Sequence, residues 1–349
     1  MHGFTNLVRE NHLGEIRRLD QREALKNAIN YCRENNIELL LIAGDLYEQK
    51  HVRKTTIEYI NNLFLSIPST KILIAPGNHD PYIKNSYYYT YPWSENVKIF
   101  GGKPEKYSYK NCNIYGFGFE DFYLERNNIE EIKIDEKDKI NILLTHGSLN
   151  ASDALEKQYN PLSENMLEQT EFDYIALGHI HKPYYNEKEN QKIVYPGSMI
   201  SLGFDEPGEH GMIVGDIEKN KLSIQFVPLD KKEFKEVEID ITEINSKEEL
   251  IEKINELKIE ENEFIKIILT GKRNFEINLN GIYKLIYNKN IIKIKNFTKT
   301  NYDLENLAKE NTLKGIFIKN IIEKIKEEPE KKELFEKAIE IGLEAIENS

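Results

Sequence analysis

The feature that most constrains this chain is a series of short apolar runs that each end abruptly on polar residues. One of them, KILIAPGNHD (71–80), stops on glycine, asparagine, histidine and aspartate. Short apolar runs bounded by turn residues predict buried strands. Polar side chains placed directly after buried strands indicate that the chemistry of the protein is carried on loops at the strand ends.

Four such strand ends carry side chains that can bind metals, and they follow one another along the chain. They are GD with Asp45, GNHD with Asn78, His79 and Asp80, TH with His146, and GHIH with His179 and His181. Histidine combined with carboxylate and amide oxygens suits divalent metals such as Mn, Zn or Fe. A carboxylate at Asp45 could bridge two ions, and two adjacent metals can clamp the attacking and leaving oxygens of a phosphate.

Taken singly, these motifs have ordinary explanations. A GD pair after a strand is most often a turn or a helix cap, and His146 alone could equally be a buried structural histidine. Their occurrence together, in order and each at a predicted strand end, favours a metal centre. By contrast His12, His51 and His210 lie outside the series and are predicted to be surface or structural residues.

Composition narrows the class of protein. A chain of 349 residues with 40% hydrophobic content can bury a substantial core, and no stretch approaches the roughly 18 apolar residues of a membrane span. The N-terminus has no signal-peptide pattern, so we expect a soluble, cytoplasmic protein that does not bind membranes. Cys32 and Cys112 show no metal-site or disulfide spacing and are predicted to be core residues.

The formal net charge of −12 argues against wholesale attraction to nucleic acid. If DNA is a substrate, local basic patches and metal ions would have to attract it.

The order of predicted elements indicates an α/β fold. Amphipathic helices are predicted at 15–35, 54–66 and 246–257, and a helical pair at 313–348 is interrupted near Pro329. The segments 263–271, 275–288 and 291–297 are predicted as strands. Because the character of the chain changes near residue 230, two domains are predicted, over 1–230 and 231–349.

The series GD, GNHD, TH and GHIH resembles the calcineurin-like metallophosphoesterase superfamily. The segments LIAGDLYE, YPGS (195–198), LGFDE (202–206) and TLKGIFIKNIIEKI are similar to the SbcD/YhaO-type DNA repair exonuclease branch of that superfamily. The resemblance implies a metallophosphoesterase-type α/β sandwich over 1–230. A smaller α+β capping domain with C-terminal helices would then occupy 231–349.

The resemblance also implies a role for each residue of the series. Two divalent metal ions, expected to be Mn²⁺, would be bridged by one carboxylate. The implied ligands are Asp45 as the bridge, Asn78, His146 and His179 on one metal, and His181 on the other.

The remaining implied roles concern the substrate. His79 would contact the scissile phosphate or protonate the leaving oxygen, and Asp80 would hold its imidazole. Gly197 and Ser198 would lie beside the site and contact substrate, although a plain turn before a strand is an equally good explanation of Ser198.

The family pattern begins with a strand that ends in Asp-x-His, and no apolar run precedes the first predicted helix here. Two explanations stay open, with His2 as a candidate remnant of the motif. A start at an internal methionine is favoured. A genuine loss would instead predict weak or no activity and an exposed apolar sheet edge.

The function implied is that of a metal-dependent phosphodiesterase acting on DNA, as a DNA repair exonuclease or endonuclease subunit. One alternative is a small-molecule or cyclic-nucleotide phosphoesterase, and another is a catalytically silent subunit that binds DNA or an ATPase. The expected partners are DNA and a coiled-coil ATPase subunit, with a homodimer as a further assembly.

Two other segments have open interpretations. Residues 281–300 carry five lysines and no acid, interleaved with aromatics, which suits either DNA or, the favoured reading, an ordinary strand pair with solvated lysines. The Tyr-rich segment 85–93 is either a substrate wall or a packed loop.

Overall fold

The computed structural model of the chain describes residues 10–125, 127–150, 159–185 and 191–347. Its helices are α1 Glu10–Glu34, α2 Lys54–Leu65, α3 Tyr87–Thr90, α4 Glu164–Glu168, α5 Lys247–Asn255, α6 Leu279–Tyr283, α7 Leu304–Leu307, α8 Leu313–Glu327 and α9 Lys332–Glu347. Single 3₁₀ turns lie at Ile129–Glu131 and Pro329–Lys331.

The strands form two main sheets and several small ones. Their bounds are β1 Leu39–Ile42, β2 Lys71–Ile74, β3 Val97–Ile99, β4 Glu105–Tyr109, β5 Cys112–Gly116, β6 Ile140–His146, β7 Ser148–Leu149, β8 Pro161–Leu162, β9 Tyr174–Gly178, β10 Ile193–Val194, β11 Gly211–Glu218, β12 Lys221–Pro228, β13 Glu233–Asp240, β14 Glu263–Thr270, β15 Lys272–Arg273, β16 Ile291–Asn296 and β17 Lys299–Thr300.

The first main sheet has the order β1-β2-β3 and is parallel. The second has the order β10-β9-β6-β5-β4, in which only β4 runs antiparallel to its neighbour. The small sheets are β11-β12, β13-β14-β16, β15-β17 and β7-β8. Among the described strands β1 is outermost in its sheet, and its four apolar residues are all partly exposed.

Alternating side chains of these strands build the layers of the fold. In β2, Ile72 and Ile74 pack on the side where α1 and α2 lie, whereas Leu73 faces the core between the two main sheets. In β6, Leu144 enters that same central core and Leu143 packs on the outer side. This period of two places one apolar face of each sheet against the other and covers the outer faces. The predicted α/β fold is confirmed.

A buried arginine fixes α1 to two later segments. Arg17 is fully buried, and its guanidinium donates to the carboxylate of Asp230 at 2.6 and 3.2 Å and to the carbonyl oxygen of Ser201 at 2.8 Å. It also pairs with Asp20 on its own helix. Because a buried guanidinium needs such partners, the segment that begins at Ser201 is held at one end by α1.

The chain divides into two compact units. The first reaches Glu236 and takes in Ile259–Lys266 and Asn290–Lys293, and the second comprises Val237–Lys258, Ile267–Lys289 and the chain from Ile294 onwards. In the second unit the predicted helical pair is confirmed as α8 and α9, which pack through Ile318, Ile339 and Leu343. The boundary at residue 230 stays a prediction.

One element prediction was wrong. The segment 275–288 was expected to be a strand, but it contains the short helix α6, capped by the side chain of Asn278, which accepts a hydrogen bond from the N–H of Gly281. The turn that follows α6 is closed by a hydrogen bond of 3.2 Å from the N–H of Ile286 to the carbonyl oxygen of Ile282, and both side chains are buried. None of the described helices is long and apolar enough to cross a membrane.

Candidate metal centre

The carboxyl ends of strands from both main sheets meet at one place. Asp45 follows β1, Asn78 follows β2, His146 ends β6 and His179 follows β9. The sheets are joined there by a hydrogen bond of 2.7 Å, which the Nδ1–H group of His146 donates to the carbonyl oxygen of Ala43. The strand ends therefore bring together the bridging carboxylate and the three other side chains that the family resemblance implies for one metal.

The polar atoms in this cluster lie within hydrogen-bonding distance of one another. Because Nδ1 of His146 donates to a carbonyl, a neutral ring carries its lone pair on Nε2. That nitrogen lies 3.0 Å from Oδ1 of Asn78 and 3.4 Å from Oδ2 of Asp45. Nδ1 of His179 lies 3.3 Å from the same oxygen of Asn78. Imidazole nitrogens that converge with an amide oxygen and a carboxylate oxygen form the kind of donor set that fits a divalent cation.

His179 is held in a form suited to binding a metal. Burial, reinforced by the neighbouring His146, lowers the pKa of His179 to about 4, so the ring is neutral at pH 7. The ring of Tyr159 stacks on it at 5.2 Å between centroids. Both His179 and Asp45 have left-handed backbone conformations, with φ of 104° and 55°, a strain that is typical of functional sites.

The cluster depends on the amide oxygen of Asn78. Within the described ranges, no group of three or more His, Cys, Asp or Glu side chains forms a metal shell by itself. The candidate ligand His2 lies outside the described residues.

Close approach of the two sheets requires glycine at Gly178. A Cβ atom there would lie 1.8 Å from the carbonyl oxygen of Ala43. Any larger residue would therefore push β9 away from the end of β1 and separate His146 from its carbonyl partner.

The YPGS segment lies against the backbone of His181. Gly197 has φ of +76°, and a Cβ atom there would lie 2.6 Å from the carbonyl oxygen of His181. That oxygen accepts a hydrogen bond of 3.0 Å from the N–H of Ser198. The hydroxyl of Ser198 contacts the carbonyl oxygen of Ile200 and Nδ1 of the buried His210, both at 2.9 Å. The described contacts of the Ser198 hydroxyl are therefore with residues of the loop that leads to β11.

A glutamate that sequence reasoning did not single out orients His181. Nδ1–H of His181 donates to Oε1 of Glu206 at 2.5 Å, and the other carboxylate oxygen accepts the N–H of Leu202 at 2.8 Å. The hydrogen bond to Glu206 raises the pKa of His181. A carboxylate that accepts Nδ1–H of an imidazole is common around metal-binding histidines, where it fixes the orientation of the ring. Glu206 is the last residue of LGFDE (202–206), and the resemblance of that segment to the family was the sequence signal that could have identified it.

A second glutamate orients His79. Its Nδ1 lies 2.7 Å from Oε2 of Glu48, and its backbone N–H donates to Oδ1 of Asp45 at 3.0 Å. The side chain of His79 is 40% exposed, so the ring is accessible to a substrate. The signal in the sequence was LIAGDLYE, which places Glu48 three residues after Asp45.

The role expected for Asp80 was therefore wrong, because Glu48 is the carboxylate that contacts His79. Asp80 is fully buried and accepts the backbone N–H groups of Gly77, Asp45 and Leu46 at 2.6 to 2.9 Å. It also accepts the hydroxyl of Tyr88 at 2.7 Å. Burial, with the nearby charge of Asp45, raises the pKa of Asp80 to about 6. Its role is to hold the GD and GNHD loops together.

Comparison with known proteins agrees with this geometry. A sequence model of the family described as calcineurin-like phosphoesterase matches residues 2–183, which is more than half of the chain and includes all four ligand motifs. The chain belongs to the calcineurin-like phosphoesterase family. Membership implies metal-dependent phosphoester chemistry and agrees with the nitrogen and oxygen donors at the strand ends.

A curated relative extends the similarity beyond the matched region. The chain is 24% identical over 241 residues to the uncharacterized metallophosphoesterase YhaO of Bacillus subtilis (strain 168). The alignment covers 67% of this chain and 58% of the relative, so the chain matches a little over half of that protein's length.

Replacing Asp80 by asparagine tests its role as a clamp between the two loops. Each carboxylate oxygen accepts at least two donors, and an amide can supply only one such oxygen. A buried donor left unpaired costs about 1–3 kcal/mol, so we expect Asp80→Asn to lower the free energy of unfolding by about 3 kcal/mol in urea denaturation. The control Tyr88→Phe removes one donor and should cost about 1 kcal/mol. Equal losses in both variants would contradict the clamp.

Replacing Glu206 by glutamine tests its effect on His181. We expect Mn²⁺ affinity, measured by calorimetric titration, to fall about 10- to 100-fold, because an amide holds the imidazole less firmly than a carboxylate. The matched control is Glu209→Gln, an exposed glutamate of the same loop. Affinities that are equal in the two variants would show that Glu206 does not support a metal ligand.

Proposed function

We propose that this protein is a metal-dependent phosphodiesterase that acts on DNA, as an exonuclease or endonuclease subunit in DNA repair. The proposal rests on one observation. A set of side chains suited to binding metals lies beside His79, whose exposed ring is oriented by the carboxylate of Glu48. The backbone N–H of His79 donates to Oδ1 of Asp45 at 3.0 Å, which places His79 directly beside a proposed metal ligand.

The residues proposed to hold two divalent cations are those of the strand ends. They are Asp45, Asn78, His146 and His179 for one ion, and His181 with a share of Asp45 for the other. When bound, two such ions neutralise phosphate charge and lower the pKa of a water molecule. Manganese is proposed on the family resemblance, and the mixed histidine, carboxylate and amide donors are compatible with it.

The protein's own contribution to bond cleavage centres on His79. In its imidazolium form the ring keeps Nδ1–H on Glu48 and presents Nε2–H to the leaving oxygen. Proton transfer by a positioned side chain typically contributes about 10²–10⁴-fold to rate. Glu48 fixes the orientation of the ring and contacts no substrate itself.

The second unit supports DNA as the substrate. Tyr287 and Phe297 are 85% and 60% exposed, and Nζ of Lys295 lies 5.9 Å from the ring of Phe297. They belong to the segment 281–300, which has no acidic residue. Lysines beside exposed aromatic rings can follow a nucleic-acid backbone and stack on bases. The favoured alternative, an ordinary strand pair with solvated lysines, applies only to the part of the segment that contains β16 and β17, because α6 occupies its start.

The proposed protein partner is a coiled-coil ATPase subunit. Four large apolar side chains of the helical hairpin are more than half exposed, namely Leu313 and Ile316 on α8 and Leu334 and Ile341 on α9. An apolar face of this kind, alongside a packed core between the same helices, suits an amphipathic helical partner. A homodimer is the alternative assembly, and sedimentation of the chain alone would detect it.

The function is tested by hydrolysis with added Mn²⁺. The substrates are bis-p-nitrophenyl phosphate, a linear DNA duplex, single-stranded DNA and a cyclic nucleotide. Preference for DNA in direct competition supports the proposal, whereas preference for the cyclic nucleotide would favour a small-molecule phosphoesterase. DNA binding with no hydrolysis of any substrate would indicate a catalytically silent subunit.

His79→Ala separates proton delivery from metal binding. We expect DNA cleavage to fall about 10²–10⁴-fold. Hydrolysis of bis-p-nitrophenyl phosphate should fall much less, because nitrophenolate leaves without receiving a proton. Glu48→Gln should lower DNA cleavage in the same sense but by a smaller factor.

The control for this experiment is calorimetric titration of His79→Ala with Mn²⁺, which should match the wild type. Full DNA cleavage by His79→Ala would remove His79 from the mechanism.

A further inference from the structure

Two segments beside His79 contain no acidic residue, although the chain has 59 Asp and Glu residues. They are residues 49–57 and 81–94, and together they carry Lys50, Arg53, Lys54 and Lys84. At the acid content of the whole chain, about four acidic residues would be expected in 23 positions. A local basic surface in a protein of net charge −12 is the kind of patch that attracts a polyanion.

The two segments form one surface next to the catalytic histidine. The backbone N–H of Gln49 donates to the carbonyl oxygen of His79 at 2.9 Å, and its side-chain amide donates to the carbonyl oxygen of Asn85 at 3.2 Å. We call residues 49–54 and 82–89 the His79-side surface. Its first residue, Gln49, directly follows Glu48, the residue that contacts His79.

The cations of this surface are exposed and are not neutralised by neighbouring acids. Lys50, Arg53 and Lys84 are exposed, and none makes an ion pair with a described carboxylate, whereas Lys54 has a loose contact of 3.7 Å with Glu58. Elsewhere in the same unit, exposed lysines such as Lys106, Lys110 and Lys137 each pair with a glutamate. Nζ of Lys50 lies 5.2 Å from the ring of Phe122, a contact that leaves its charge in place. Cations without a carboxylate partner keep their charge for phosphate groups.

An exposed aromatic ring lies on the same surface. Tyr89 is 58% exposed, and its ring lies 5.8 Å from that of Tyr82 in an edge-on arrangement. The other rings of the Tyr-rich segment, those of Tyr87, Tyr88, Tyr91 and Trp93, pack into the core beneath α2. The segment is thus mostly a packed loop that leaves one tyrosine available for stacking.

We propose that the His79-side surface binds the single DNA strand on the leaving-group side of the scissile phosphate. Phosphates would contact Lys50, Arg53 and Lys84, and an unpaired base would stack on Tyr89. A single strand is favoured because only an unpaired base can offer its face to a protruding ring. The inference rests on the proposed function, since His79 defines which side the leaving group occupies.

The test is fluorescence anisotropy of a labelled 15-nucleotide thymidine strand with the full chain in EDTA. The variant Lys50→Ala/Arg53→Ala/Lys84→Ala is expected to bind at least tenfold more weakly than wild type. Its slope of log K against log salt should shrink by about 2, since each lost phosphate contact removes about 0.7 on single strands.

The matched control is Lys106→Ala/Lys110→Ala/Lys137→Ala, which removes the same charge from exposed lysines of the same unit. It should bind the strand nearly as wild type does. Thermal unfolding of both triple variants checks that they are folded. Equal affinity of the two triple variants would overturn the proposal, because general charge rather than this surface would then control binding.

Tyr89 is tested separately from the cations. We expect Tyr89→Ala to weaken binding about 5- to 100-fold and Tyr89→Phe to retain it, because stacking needs the ring and not the hydroxyl. Binding unaffected by Tyr89→Ala, or tighter binding of a duplex than of the single strand, would overturn the single-strand assignment. Tighter binding of a uridine RNA strand would overturn DNA as the ligand.

Failure of this inference is distinguishable from failure of the proposed function. Wild-type hydrolysis of bis-p-nitrophenyl phosphate with Mn²⁺ reports on the metal centre and needs no DNA strand. Hydrolysis of that ester, together with DNA affinity that does not depend on the surface, would refute only the inference. Absence of hydrolysis would refute the proposed function whatever the anisotropy shows.

Discussion

The buried carboxylate of Asp80 is the contact on which the candidate site depends. It accepts backbone N–H groups from the loop after β1, at Asp45 and Leu46, and from the loop after β2, at Gly77. Hydrogen bonds to a charged acceptor are the stronger kind, and here one acceptor serves two chain segments. The positions of Asp45 and Asn78 relative to each other follow from this clamp.

A similar contact occurs at three of the site histidines, each of which is aligned by an oxygen from another segment. Ala43 holds His146 through its carbonyl, Glu48 holds His79, and Glu206 holds His181. In each case the oxygen contacts Nδ1, which fixes the orientation of the ring and therefore the direction in which Nε2 points. The site is therefore preorganised by contacts among loops, and both main sheets contribute to it.

Much of this could be predicted from the sequence. Strong apolar runs correctly predicted β1, β2, β6 and β9, and the structure brings Asp45, Asn78, His146 and His179 together at the ends of these strands. The errors have physical causes. The segment 275–288 was predicted to be a strand because its apolar runs are short and fit either a strand or a helix. The side chain of Asn278 caps α6 and stabilises the helix instead. Asp80 was assigned to its neighbour His79, although side chains of consecutive residues after a strand point in different directions.

The sequence by itself determined where the strands end and therefore which side chains lie at those ends. Hydrophobic periodicity is a local property, so it can be recognised without the tertiary structure. Only the tertiary structure decided which carboxylate contacts which histidine. Glu206 is 25 residues away from His181 along the chain, and their contact depends on how the LGFDE loop is held by Arg17 and packed beside YPGS. Such pairings follow from the packing of whole layers, which no local pattern encodes.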